Sequence, residues 1–395
     1  MEKMINTDSW EANKALTRGV ERIYPNREAL ERVLLSGKKI RLYNGIDPTG
    51  KLHIGHLVVL KKLRQFQDLG HEVIVLIGDF TATIGDPTDK SATRKALTRK
   101  EVVENTRNYK KQIGRVLDLK KSNVRFLHNG EWSNKLKPTD LLEIFSNFTV
   151  ARLLERDMFQ KRIQEGKDIL LHEFVYPAFQ AYDSVTMDVD LEVGGNDQTF
   201  NMLRGRDLMK KMKNKEKFVM ALKLLTDPTG KKMGKTEGNF VALDDDPQDM
   251  FGKVMSWPDS LMEIGFELLT SIPLEEAKGL MGDPKNAKIR LAREVTAVCH
   301  GKEAADRAEK EFSLVFQKGG MPSRMREAVI EEKTISIIDL LVKTKMASSK
   351  SEAKRLIEQR GVSIDEKTKS GWREEVEIKK GMVIRVGKRN FLKIT

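Results

Sequence analysis

The feature that most constrains the fold is a series of short, continuously apolar runs spaced by helix-length segments through the first 230 or so residues. "KKIRLYNGI" (38–46) and "EVIVLIGDF" (72–80) flank "GHLVVLKKLRQFQDLG" (55–70), whose apolar positions recur at helical spacing and which stops at Gly70. Strand, helix, strand in that order is a βαβ unit. Runs that are apolar throughout imply strands covered on both faces, the condition of a parallel sheet sandwiched by helices. The pattern returns in "NVRFLH" (123–128), "MDVDLEV" (187–193) and "KFVMALKLL" (217–225), so residues 1–230 are expected to form a doubly wound, Rossmann-like α/β domain with a parallel sheet.

From about Pro247 the strand-like runs cease. "PQDMFGKVMSW", "DSLMEIGFELL", "LEEAKGLM" and "NAKIRLAREVTAVCHGKEAADRAEKEFSLVF" carry helical periodicity between Pro and Gly breaks, which predicts an α-helical domain over 231–318. "QKGGMPSRMREAVIEEKT" interrupts it with Gly, Pro and charge, as an exposed connector would, and 319–334 is expected to be a linker. Beyond it, "SIIDLLVKTKMASSKSEAKRLIEQRGV" reads as two helices and "VEIKKGMVIRVGKRNFLKIT" as a hairpin, a small α+β domain over 335–395.

Charge narrows the partners. The net charge is +13, and residues 335–395 alone hold 15 Lys and Arg against 8 Asp and Glu. Such an excess suits a polyanionic partner and has no use in an enzyme of small neutral substrates. No apolar run approaches the roughly 20 residues of a membrane span, and the opening "MEKMINTDSWEANK" is polar, so a cytoplasmic protein without a membrane partner is expected. The single Cys299 cannot form an internal disulfide and reads as a small buried hydrophobe.

Four elements carry chemistry. His53 and His56 stand at i, i+3 where a helix begins after the first strand. They could contribute to a zinc site, cap the helix, or hydrogen-bond a nucleotide phosphate. The first needs three or four donors, and His71, His128, His172 and His300 show no ligand spacing. The last is favoured by position, since ligands of an open parallel sheet sit beyond the carboxyl ends of its strands, where helix N-termini attract phosphate. Gly55 between them would let a ligand approach the backbone. "LLTDPTGKKMGKTEGN" sets Lys231, Lys232 and Lys235 among glycines, near to a P-loop but with one residue too few between Gly230 and Gly234. In "LLHEFVYPAFQAYDSVTM", Tyr176, Gln180 and Asp183 fall at i, i+4 and i+7 and share a helix face, which requires an internal network or a polar ligand. "GGNDQ" (194–198) again follows a strand.

Taken in order, these elements resemble a known family. "HIGH" at His53–His56 and "KMGKT" at Lys232–Thr236, about 180 residues apart, resemble the two signatures of class I aminoacyl-tRNA synthetases, with Gly234 where the family's lysine loop has serine. "YNGIDPTG", "IGDPTDKSATR", "YPAFQAYDS" and "VGGNDQTFN" resemble the bacterial tyrosyl-tRNA synthetases in particular, though Asp89 stands where relatives often have glycine. "SSKSEAKRLIEQRGVSI" is similar to a small RNA-binding domain shared with a ribosomal protein.

The resemblance implies roles. Tyr43 and Asp183 would bind the phenolic hydroxyl of L-tyrosine, and Asp86, Tyr176 and Gln180 its ammonium group. Asp47, Gly55, Gly195, Asp197 and Gln198 would surround the ribose and carboxyl end of the adenylate. His53 and His56 would contact the phosphates of ATP, while Lys90, Arg94, Lys232 and Lys235, with Met233 and Thr236, would hold the departing pyrophosphate. ATP would arrive with Mg²⁺. Residues 231–318 would supply the lysine loop and an anticodon-binding helical domain. Lys350, Lys354 and Arg355 would contact tRNA-Tyr. "LLEIFSNFTVARLLERDMF" (141–159) is apolar enough for the subunit interface of a homodimer. A tryptophanyl enzyme, or a catalytically silent synthetase-like RNA binder, remains the alternative at this point.

Overall fold

The computed structural model describes residues 5–85, 98–226, 240–317, 325–387 and 390–395. The chain forms two compact units, Met1–Asp306 and Arg307–Thr395.

The first unit is built on a six-stranded sheet of β1 (Val20–Tyr24), β2 (Arg41–Ile46), β3 (Glu72–Ile77), β4 (Val124–His128), β5 (Leu191–Gly195) and β6 (Phe218–Leu222), in the order β1-β6-β5-β2-β3-β4. β2 to β6 are mutually parallel, and Val73 to Ile77 of β3 are buried on both faces, as their unbroken apolar run requires. β1 is antiparallel to β6 at the sheet edge. Its sequence, "VERIY", has two exposed charged positions and no apolar run, which is why the sequence pattern passes over it.

The chain runs outward from β2 through β3 to β4, then returns to lay β5 on the other side of β2. The order therefore reverses between β2 and β5, and at such a reversal the connections leave in opposite directions and open a crevice at the carboxyl ends. The helix after β2, Ile54–Asp68, starts at that crevice. A second helix, Leu171–Met187, enters β5 and packs along Thr199–Lys213, the helix that leaves it.

Helices Pro247–Met255, Met262–Leu269, Leu274–Leu280 and Pro284–His300 follow, packed around Trp257, Phe266 and Leu291. An added Cβ at Gly265 would lie 2.9 Å from Leu291 Cδ2, so glycine there lets two helices close. They belong to the same compact unit as the sheet. Arg18, just before β1, donates to the backbone carbonyls of Phe266, Glu267 and Ile272, and the helix Met262–Leu269 packs on Ile54–Asp68. Cys299 is buried, and burial pushes its thiol up to about 12, as befits a packing residue.

The second unit wraps helices Ile337–Lys343 and Lys350–Glu358 against a sheet of order β10-β9-β12-β13-β7, formed by β7 (Arg326–Ala328), β9 (Val362–Ile364), β10 (Lys367–Lys369), β12 (Val383–Val386) and β13 (Asn390–Ile394). Its core is Leu340, Leu341, Ala353, Ile357, Ile384 and Leu392. Two expectations change here. Residues 326–328, expected within a linker, pair with β13 and complete the sheet. The expected hairpin is shorter: β12 and β13 form it, while Glu375–Glu377 pairs as β11 with β8 (Thr334–Ser336). Gly381, at φ +88°, separates the two.

Candidate active site

The histidines do cap their helix. His53 is the N-cap of Ile54–Asp68, its Nδ1 accepting from the Gly55 N–H at 3.1 Å, while Nδ1 of His56 accepts from the His53 N–H at 3.1 Å. A nitrogen that accepts an N–H bond carries no proton, so in each neutral ring the proton sits on Nε2. Capping and phosphate binding are therefore compatible. The cap fixes a tautomer whose second N–H is on Nε2, at a helix end whose dipole already favours anions. Gly55 serves this arrangement more directly than a ligand, since a Cβ there would stand 2.9 Å from Cε1 of His53.

The segment after the lysine run is clasped to the same place. Ile54 N–H donates to Val241 O, Leu243 N–H to Leu52 O, and the Phe240 ring meets His53 edge-on at 5.6 Å. Lys232, Met233, Lys235 and Thr236 lie outside the described residues, as do Asp86, Lys90 and Arg94. Of the segments that flank them, residues 240–243 meet residues 52–54, and Thr81 bonds Asp47.

Tyr176, Gln180 and Asp183 share a face, and each reaches a different strand or the loop after it. The Tyr176 hydroxyl donates to Asp47 Oδ2 at 3.0 Å, in the loop after β2, and Asp47 Oδ1 accepts from Thr81 at 2.7 Å. Gly78 makes this possible, because a Cβ there would sit 2.0 Å from Asp47 Oδ1. The Gln180 amide donates to Glu192 on β5 at 2.9 Å. Asp183 accepts from Trp132 Nε1 at 2.8 Å and Asn129 Nδ2 at 3.2 Å, both beyond β4. It is only 2% exposed, and burial pushes its carboxyl up to about 8 against the opposing pull of Trp132 and Asn129.

Tyr43 projects from β2 into the same neighbourhood, fully buried, with its hydroxyl 2.9 Å from Ser184 Oγ. Burial first, then the charges of Glu192 and Asp183, raise its pKa well above the usual value, so it stays a neutral phenol. Gly195 ends β5, and Asp197 and Gln198 follow it; a Cβ on Gly195 would meet Asp197 Oδ1 at 2.5 Å, and Gln198 Oε1 accepts from Asn201. Thr81, Asn129, Trp132, Ser184, Glu192 and Lys217 also belong to this network and were not singled out from sequence. Only Glu192 had a signal, an acid inside the buried run "DLEV". Among the described residues no group of three His, Cys, Asp or Glu could hold a metal ion, and no helix is long and apolar enough to cross a membrane.

A model of the family described as tRNA synthetases class I (W and Y) matches residues 35–317, which with the fold puts the chain among the class I tRNA synthetases. A second, described as the tyrosine–tRNA ligase SYY-like C-terminal domain, matches 316–394. The chain is 44% identical over 393 residues to a tyrosine–tRNA ligase of Moorella thermoacetica, covering 96% of this chain and 95% of that one. With its Thermotoga maritima counterpart it is 44% identical over 391 residues, covering 97% and 96%. A C-terminally truncated mitochondrial tyrosyl-tRNA synthetase from Coccidioides posadasii superposes with a TM-score of 0.63 at 25% identity, over 76% of this chain and 91% of that one. The chain belongs to the tyrosine–tRNA ligase family.

Proposed function

We propose that the crevice adenylates L-tyrosine with ATP and that the chain then esterifies the tyrosine to tRNA-Tyr. The observation that carries this reading is the bonding of Asp47. It lies on the loop leading to the His53 cap, is held by Tyr176, and connects through Thr81 and Asn129 to Asp183, so it joins a phosphate-suited helix end to the buried Asp183.

In this reading the phenol of tyrosine meets Asp183 and Tyr43, and its ammonium meets Tyr176, Gln180 and Asp86. The adenylate's ribose and carboxyl end lie along Asp47, Gly55, Gly195, Asp197 and Gln198. The tyrosine carboxylate, already a nucleophile, attacks the α-phosphorus. An O–P bond forms as the α–β bridge breaks, and pyrophosphate leaves past His53, His56, Lys90, Arg94 and the lysines of 232–236. The protein supplies position and positive charge and needs no covalent nucleophile. The 2′-hydroxyl of the tRNA's terminal adenosine then attacks the acyl carbonyl and releases AMP. Mg²⁺ enters as part of the MgATP substrate, held by its phosphates.

Several finer readings rest on separate observations. Lys350, Lys354 and Arg355 project from one helix of the second unit beside Asp339, Glu358 and Glu352, exposed pairings that tRNA phosphates can displace. The α/β part to about 230 is the catalytic region, 231–318 the lysine loop and anticodon-binding helices, and 335–395, with the edge strand β7, the RNA-binding module. Leu142, Val150, Ile163, Leu170 and Leu171 are all at least half exposed, which supports a homodimer interface there. We place the activity in the cytoplasm. Tyrosine-dependent exchange of pyrophosphate into ATP tests the central reading. Exchange on tryptophan, or ATP hydrolysis without exchange, would overturn it.

A further inference from the structure

Beneath the pocket lies a buried ion pair with no part in the reaction just described. Lys217, immediately before β6, and Glu192, on β5, are 0% and 2% exposed. The register of the parallel strands brings them together, and their ammonium and carboxylate are in direct contact. The pair is wired into the site at both ends. Glu192 Oε1 accepts from the Gln180 amide at 2.9 Å, and Lys217 donates to Ser184 Oγ at 2.8 Å, which lies 2.9 Å from the Tyr43 hydroxyl. Room for the ammonium is made by Gly205 in the middle of Thr199–Lys213. A Cβ there would stand 2.4 Å from Lys217 Nζ, 2.9 Å from Ser184 Oγ and 3.3 Å from Glu192 Oε2.

The two faces of a side-chain amide differ: its nitrogen only donates and its oxygen only accepts. A carboxylate bound to an ammonium can only accept. It therefore turns the Gln180 nitrogen toward itself and leaves the Gln180 oxygen for a donor on the other side. On the reading that Gln180 meets the substrate's ammonium, that is the orientation recognition needs. The reverse orientation would set an N–H against a cation.

We infer that Lys217 and Glu192 are positioning residues for tyrosine recognition: the pair locks the Gln180 amide with its oxygen toward the substrate's ammonium. This rests on the proposed tyrosine site. Without the cation, the buried Glu192 carboxylate loses its counter-charge and its fixed position, and the amide is freed to turn.

The test uses the full-length enzyme and two ligands, tyrosine and its deamino analogue hydroxyphenylpropionate, which lacks the ammonium. Lys217→Met, Glu192→Gln and the double variant should weaken tyrosine binding about tenfold or more, the loss of a charge-assisted hydrogen bond, and leave the analogue within about threefold of the parent. In adenylation, KM for tyrosine should rise with kcat little changed, since the ammonium is held alike in ground and transition states. Gly205→Ala crowds the same ammonium from the neighbouring helix and should show the same ligand-selective loss, whatever its melting temperature. It and the charge-neutral double variant carry the test if Lys217→Met fails to fold. Equal weakening of both ligands, or unchanged tyrosine affinity, would overturn the inference. Gln180→Ala, run in parallel, separates the two readings. If it too leaves tyrosine affinity unchanged, the pocket assignment falls and this inference with it. If it weakens tyrosine while the Lys217 and Glu192 variants do not, the inference alone falls.

Discussion

At the scale of single residues, the surroundings of two groups, Asp183 and His53, dictate what each can do. The carboxyl of Asp183, held up to about 8 by burial, is largely neutral in the empty pocket at pH 7. A phenol donates well only to the carboxylate, so bound tyrosine should expel a proton. Tyrosine affinity should then strengthen by up to tenfold per pH unit between about pH 6 and 8 and level off above. Calorimetry in buffers of different ionisation enthalpy would register the released proton, and a flat pH profile would refute the assignment. The same shift acts on stability. Because the folded carboxyl keeps its proton to a higher pH than the unfolded one, Asp183 withdraws stability progressively from about pH 4 to pH 8. Asp183→Asn should therefore melt later than the parent at pH 8 while losing tyrosine activation. His53 divides in the same way. Asparagine caps helices as well as any residue but has no Nε2–H, so His53→Asn should keep the melting temperature within about a degree or two and lower kcat for adenylation by roughly 10²-fold. An equal fall in stability would mean that the ring is only a cap.

At the scale of elements, the helix Ile54–Asp68 and its histidines depend on one glycine. Gly55→Ala adds a helix-favouring residue worth up to about 1 kcal/mol, yet its Cβ would stand 2.9 Å from the His53 ring. Melting should hold or improve while adenylation slows, and unchanged kcat would show that the ring can shift without cost. Elements of this kind were legible in the sequence for a physical reason. β3, β5 and β6 are buried almost throughout and declare themselves as apolar runs, β2 and the edge strand β4 more weakly; the stripe of Tyr176, Gln180 and Asp183 shows because polar residues at helical spacing interrupt an apolar helix. β1 was not legible, because an edge strand needs no apolar run. Nor was the partnership of Lys217 with Glu192. Lys217 looks like a solvated charge, and Glu192 like a buried acid without a visible partner, until the register of β5 on β6 places one against the other. Trp132 and Asn129 were hidden likewise, since nothing local to "HNGEWS" says that it will face a helix some 50 residues on.

At the scale of the whole molecule, the excess positive charge of 335–395 and the catalytic crevice fall in different compact units. A chain ending at 317 should keep tyrosine-dependent pyrophosphate exchange within a few-fold, lose aminoacylation, and show a shallower salt dependence of residual tRNA binding. Loss of both activities together would assign the second unit a folding role. The crevice has a history within its own unit. β2, β3 and β4 join strands close in sequence, whereas β5 meets β2 only when Glu192 comes to lie opposite Tyr43, across some 150 residues of chain. Such distant closures are the slow steps of assembly. The tyrosine pocket proposed above is the seam of that closure, with one wall from each half. No partly formed sheet can hold tyrosine, and a chain that binds the amino acid has already joined its two halves.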